Sequence, residues 1–149
     1  RTIIELKPGV GCGHGTFVGP AAYELPSISS LKREVFGPVL HVVRFAGDRI
    51  ADVCEALNAT GFGLTLGVHT RIERTAEEVR RLARVGNLYV NRNQIGAVVG
   101  AQPFGGEGLS GTGPKAGGPH YLHRFATERV CSTDTTASGG NAALMSMET

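Results

Sequence analysis

Charge of one sign is scarce in this chain: 15 Lys and Arg against 13 Asp and Glu leave a formal +2. That excess is too small and too spread to read as a surface for nucleic acid or anionic membrane. Long hydrophobic runs are also missing. No stretch approaches the roughly 18 to 20 apolar residues a bilayer requires, and Arg1 to Val10 lacks the apolar core of a signal peptide. Cysteine is sparse and irregular: Cys12, Cys54 and Cys131 make no CxxC and no regular spacing, which argues against a disulfide framework or a zinc site. The expectation is a soluble, unexported, cytoplasmic protein with reduced thiols, no transmembrane segment, no metal and no nucleic-acid partner.

Glycine, by contrast, is abundant. Of 22 glycines, nine lie between Gly96 and Gly118 and five between Gly9 and Gly19. Such density marks backbone that turns through positive φ or approaches something closely. At 149 residues the length allows one ordinary domain.

From Val39 onward the hydrophobic pattern alternates between strand and helix periods. Val39 to Phe45 is β-branched and nearly continuous, as in a strand covered on both faces. Asp48 is placed to cap a helix that buries Ile50, Val53, Cys54 and Leu57, and Gly61 ends it. Leu64 to His69 reads as a second strand. Thr70 and Glu73 have capping-box spacing before a helix that buries Ile72, Ala76, Val79 and Ala83. Its other face carries charge, with Glu77 and Arg81 paired four apart, and Gly86 closes it. Leu88 to Val90 supplies a third strand. The class is α/β, a parallel βαβαβ unit. Two helices cannot cover a three-stranded parallel sheet, so further elements are required. The Gly-rich segments and the tail show no obvious candidates, which suggests part of a larger domain.

Gly106 to Gly111 matches GxGxxG, but Pro103-Phe104 precedes it and Pro114 follows, so the strand-to-helix context of a dinucleotide fingerprint is missing. Pro114 likewise interrupts the Gly-Lys pair of a phosphate loop. What remains is a long irregular run, Asn91 to Pro119, leaving the carboxyl end of the third strand, where parallel sheets bind ligands. Cys54 lies on an apolar helical stripe and reads as a small buried hydrophobe; Cys12 reads as loop, with no His or carboxylate at a spacing that would mark a nucleophile.

The combination Glu34-Val35-Phe36-Gly37-Pro38-Val39, then Val90-Asn91, then Pro103-Phe104-Gly105-Gly106 with Ser110-Gly111, resembles the C-terminal half of the NAD(P)-dependent aldehyde dehydrogenase catalytic domain. More narrowly, Leu31 to Val43 and Gly86 to Pro119 resemble the L-glutamate γ-semialdehyde (pyrroline-5-carboxylate) dehydrogenase module of the bifunctional proline utilisation A family. Thr127 to Val130 and Thr135 to Met145 are similar to that family's terminal segment. The resemblance runs from about Gly15 to Met147; residues 1–14 match it poorly.

This resemblance implies NAD as cofactor, with FAD only where a proline dehydrogenase domain is also present. Glu34 would accept hydrogen bonds from the nicotinamide ribose hydroxyls, and Phe36 would pack beside that ribose. Gly96 and Ala97 would anchor the substrate α-carboxylate through backbone N–H groups, and Phe104 would line its aliphatic chain. No catalytic residue is expected in this chain, because the family's nucleophilic cysteine and its water-activating glutamate precede the Glu-x-Phe-Gly-Pro segment. The chain alone would then be inactive.

The implied division is 1–14, a poorly matching stretch; 15–119, part of the catalytic domain with a Gly-rich substrate loop; and 120–149, an oligomerisation strand over Tyr121 to Val130 with a tail. The parent would be a cytoplasmic homo-oligomer, open to peripheral membrane association. A catalytically silent domain of the same fold with a role in assembly, and an aldehyde dehydrogenase of other substrate, stand as alternatives.

Overall fold

The computed structural model describes residues 1–95, 97–98, 100–111 and 113–134. In chain order these form β1 (Thr2–Glu5), β2 (Ala21–Leu25), β3 (Val39–Val43), α1 (Ile50–Ala59), β4 (Phe62–Gly63), β5 (Thr65–Val68), α2 (Glu73–Leu82), β6 (Asn87–Val90) and β7 (Glu107–Gly108). Short 3-10 helices lie at Val10–Cys12, Ile28–Ser30 and Tyr121–Phe125.

The expected order of strands and helices from Val39 onward is present, and α2 links β5 to a parallel β6. The single three-stranded parallel sheet is not. β3 pairs in parallel with β2, which pairs antiparallel with β1, while β5 and β6 form a separate two-stranded ladder. The additional strands are β1 and β2, on either side of the Gly9 to Gly19 stretch. β2 offers β3 an uninterrupted five-residue register from Ala21 opposite Val39 to Leu25 opposite Val43. Its two alanines are buried and small enough to sit under neighbouring strands.

Ile4, Ala22 and Leu40 form one cross-strand row. Ala22 is buried, but Ile4 is 51% and Leu40 61% exposed. The expected cover on both faces of β3 is therefore missing among the described residues. Glu24 straps this sheet from one side, its carboxylate taking Arg1 and Arg44, each at 2.8 Å.

α1 follows its apolar periodicity: Cys54 is 2% exposed, with Ile50, Val53 and Leu57 half-buried. It stops where Gly61 adopts φ +78°, a conformation disfavoured for any residue with a Cβ. Both expected N-terminal caps fail. α1 begins after Arg49 with no side-chain cap; Arg49 instead pairs with Asp52 in the first turn, where a carboxylate also suits the helix dipole. Thr70 does not cap α2 either. Its hydroxyl accepts from the Ile72 N–H at 3.1 Å, a local turn that ends at Ile72, the residue immediately before the helix, and leaves Ile72 64% exposed. On α2, Glu77 pairs with Arg80 at 2.8 Å rather than with Arg81. Val79 faces inward and is buried, which stabilises the fold by about 2 kcal/mol.

α1 and α2 pack together, and Asn58 of α1 closes the end of α2. Its Nδ2 donates to the Leu82 carbonyl at 2.9 Å, and its Oδ1 accepts the Arg84 N–H at 2.8 Å. A helix end needs such partners for its orphan carbonyls. Gly86, expected to close α2, does not; Ala83 occupies the C-cap in extended conformation. The stretch Tyr121 to Val130, expected as a strand, is a 3-10 helix to Phe125 and then irregular, without strand pairing among the described residues. Thr135 to Thr149 lie outside them, and with them the rest of the tail.

Candidate functional site

β6 carries an asparagine at each end. Asn91, just past the carboxyl end, has φ +54°, a left-handed conformation that Asn tolerates better than most residues. Its Oδ1 accepts the Thr70 N–H and its Nδ2 donates to the Thr70 carbonyl, both at 2.9 Å. Asn87, at the amino end, reaches the irregular run instead: Nδ2 donates to the Pro103 carbonyl at 3.1 Å, and Oδ1 accepts the Gly105 N–H at 3.4 Å. These two bonds flank Phe104, whose own N–H and carbonyl pair with Ala116 at 3.0 and 2.9 Å.

The Gly-rich run therefore does not stay at the carboxyl ends of the strands. After leaving Val90 it returns, so that Pro103 to Gly111 packs at the amino ends of β5 and β6, and β7 pairs antiparallel with β4. Ser110 Oγ accepts the Gly63 N–H at 3.1 Å, and Lys115 Nζ donates to the Gly86 carbonyl. Gly86 is required here for close approach: a Cβ would run into the Gly105 carbonyl and the Gly106 Cα. The accidental GxGxxG has the same explanation. A Cβ on Gly106 would stand 2.6 Å from Ser110, one on Gly111 would strike the Gly106 carbonyl, and Gly108 has φ +59°. These glycines make room for one another, and among the described residues no helix starts directly after Gly111.

Ala97 and Phe104 line one cleft of about 270 Å³ with Gln102, Ala116 and Gly117. Gly96 lies outside the described residues. Glu34 lies in a different cleft, of about 480 Å³, whose walls include Thr60, Phe62, Leu109 and Ser110. Its carboxylate has no hydrogen-bond or ion-pair partner among the described residues. Phe36 stands 95% exposed, next to Gly37 at φ +141°. The structure thus joins Ala97 to Phe104 and sets Glu34 apart from them.

Asn87, Asn91, Ser110 and Lys115 hold this arrangement, and sequence reasoning assigned none of them such a role. The available signal was an asparagine at each border of a strand beside a Gly-rich run, since Asn readily bonds backbone in turns.

Burial, with the nearby Glu78 carboxylate, holds the Cys54 thiol above its ordinary range, so it stays protonated and poorly nucleophilic. Among the described residues no group of three or more His, Cys, Asp or Glu is arranged for a metal ion. No helix among them is long and apolar enough to cross a membrane.

Known proteins resemble the chain over most of its length. Bifunctional protein PutA of Klebsiella aerogenes is 65% identical over 116 residues, covering 78% of this chain and 9% of that protein. A crystal structure of a Bradyrhizobium japonicum proline utilization A (PutA) mutant superposes with a TM-score of 0.78 at 55% identity, over 87% of this chain and 13% of that one. A 1-pyrroline-5-carboxylate dehydrogenase from Thermus with bound NAD gives a TM-score of 0.71 at 40% identity, over 84% of this chain and 24% of that one. The chain thus spans about a tenth of the length of its PutA relatives. Residues 4–130 match the aldehyde dehydrogenase family model, and with the agreement in fold this establishes that the chain belongs to the aldehyde dehydrogenase family.

Proposed function

We propose that this chain is part of an NAD-dependent dehydrogenase that oxidises L-glutamate γ-semialdehyde to L-glutamate in proline catabolism. The parent would also carry proline dehydrogenase activity, and FAD with it. The observation that carries the reading is the 65% identity to bifunctional PutA over 116 residues that include the Ala97–Phe104 cleft. That cleft is small, in keeping with a short aldehyde rather than a bulky one, and Phe104 supplies an apolar wall for an aliphatic chain. Gly96 and Ala97 hold the substrate carboxylate in this reading.

The residues present suit NAD. Glu34 offers an exposed carboxylate without a competing partner among the described residues, an acceptor matched to a vicinal diol. Phe36 offers a free ring to pack beside the ribose. When bound, NAD supplies the hydride acceptor, and the task of these two side chains is to fix its orientation. The nucleophilic cysteine and the water-activating glutamate come from sequence outside this chain, so the isolated chain is inactive.

We propose further that 15–119 belongs to the catalytic part and that 120–149 serves homo-oligomerisation in a cytoplasmic parent. Among the described residues Ala126 to Val130 has no strand pairing, and an unpaired backbone of this kind suits addition to a neighbouring subunit. The test is NADH formation by a full-length enzyme carrying this segment, presented with glutamate semialdehyde and with unrelated small aldehydes. The expected result is a kcat/KM at least about a hundredfold in favour of glutamate semialdehyde. A preference for another aldehyde, or no turnover, overturns the reading.

A further inference from the structure

Phe104 is held from three sides, by Ala116, which shares its cleft, and on both flanks by Asn87, which does not line it. Ala116 pairs with its backbone in both directions, at 3.0 and 2.9 Å. On either flank, Asn87 spans Pro103 and Gly105 with one side-chain amide. Asn87 is itself the first residue of β6, locked into the parallel ladder opposite Thr65. Its amino-side neighbour is equally constrained: a Cβ at Gly86 would strike Gly105, and Lys115 is tied to the Gly86 carbonyl. One rigid strand end thus sets the height at which residues 103–105 cross it, and with it where the Phe104 ring stands relative to Ala97.

We propose that Asn87 is a positioning residue for aldehyde specificity. It touches neither substrate nor cofactor in this arrangement. It acts by transferring the fixed geometry of β6 to the backbone on both sides of Phe104. The inference deepens the reading of the Ala97–Phe104 cleft as an aldehyde site and rests on it. The same amide performs a comparable task in Asn58, which clamps Leu82 and Arg84 far along the chain from that cleft. Asn58 is therefore the internal control: its loss removes two backbone bonds of the same kind without loosening residues 103–105.

The experiment compares Asn87→Ala and Asn58→Ala in the full-length enzyme carrying this segment, by steady-state kinetics and by hydrogen exchange at Gly105 and Gly106. Asn87→Ser, which keeps a hydroxyl at the same strand position, takes the place of Asn87→Ala if the latter fails to fold. The expected result for Asn87 is an aldehyde KM raised about tenfold, with the KM for NAD and kcat each within about threefold of the parent. Exchange at Gly105 and Gly106 rises with it, and Asn58→Ala shows neither effect. A proportionate fall in kcat with both KM values moving together, or an unchanged aldehyde KM in a folded variant, overturns the proposal. If the parent enzyme does not oxidise glutamate semialdehyde, the functional reading fails separately. Exchange then decides the clamp, and unchanged protection at Gly105 and Gly106 overturns it.

Discussion

The side chain of Asn91 bonds to the backbone of Thr70 as a ladder residue would, giving a carbonyl to its N–H and an N–H to its carbonyl, both at 2.9 Å. The Asn91 main chain meanwhile donates to Val68 at 2.9 Å. One residue thereby ties together the carboxyl ends of β5 and β6 after both strands have formally ended. Its positive φ turns the chain out of the sheet at that point and launches the Gly-rich run.

Two penalties separate at Asn91. Replacement by Gly removes the Thr70 bonds but leaves φ +54° free of strain, whereas replacement by Ala removes the bonds and adds the cost of a Cβ in that conformation. Asn91→Ala is expected to be less stable than Asn91→Gly by about 1 kcal/mol in urea unfolding. Equal midpoints for the two variants would show that the left-handed turn is not maintained in solution.

Gly86 and Gly9 make a second contrast. A methyl group at Gly86 meets the backbone of Gly105 and Gly106, which cannot rotate away, while Gly9 has nothing within 4 Å. Gly86→Ala should cost about 2 to 3 kcal/mol and Gly9→Ala within about 0.5 kcal/mol, read from denaturation midpoints. A mild Gly86→Ala would mean that the return of the Gly-rich run onto β6 is wrong.

Stability should fall in acid through Glu24. Its hydrogen bond to Arg44, with further attraction from Arg1, holds the carboxyl below its ordinary value of 4.5, against some desolvation. A carboxyl whose folded value is depressed stabilises the fold above the unfolded value. That contribution disappears as pH falls through the folded value. Glu24→Gln should lower stability near neutral pH and converge with the parent in acid. Because both arginine partners are solvent-exposed, added salt should shrink the difference. Parallel pH curves for the two proteins would rule Glu24 out.

Phe36 tests the cofactor assignment. At 95% exposure its ring contributes almost no burial within this chain, so Phe36→Ala should leave the unfolding midpoint unchanged. In a full-length enzyme the same change should raise the KM for NAD by about tenfold and leave the aldehyde KM near its parent value. Lost stability with unchanged NAD kinetics would recast the ring as packing.

Local pattern carried the reading a considerable distance. The apolar spacing of α1, the burial of Cys54 and Val79, the glycine stop at Gly61 and the parallel β5–α2–β6 unit were all legible, because each depends on periodicity or on one residue's backbone freedom. β1 and β2 were not legible. AAYEL lies between prolines and has neither strong alternation nor β-branched residues, and its strand character comes from the register Val39 to Val43 provides. The two N-terminal caps failed for a related reason. A polar residue at the right spacing announces a cap only if the preceding backbone brings it back over the helix, and at Thr70 the hydroxyl was taken by a tighter turn.

At the candidate site the residue types, Glu34, Phe36, Ala97 and Phe104 with a glycine-rich run, were visible as letters, since composition and motif order need no fold. Their grouping was not. Ala97 and Phe104 share a cleft because Asn87 and Ala116 fix the backbone around Phe104, while Glu34 is carried to another cleft. Hydrogen bonds between residues 16 and 18 positions apart leave no periodic trace, so the meaning of each glycine, whether turn or close approach, emerges only when the chain returns upon itself.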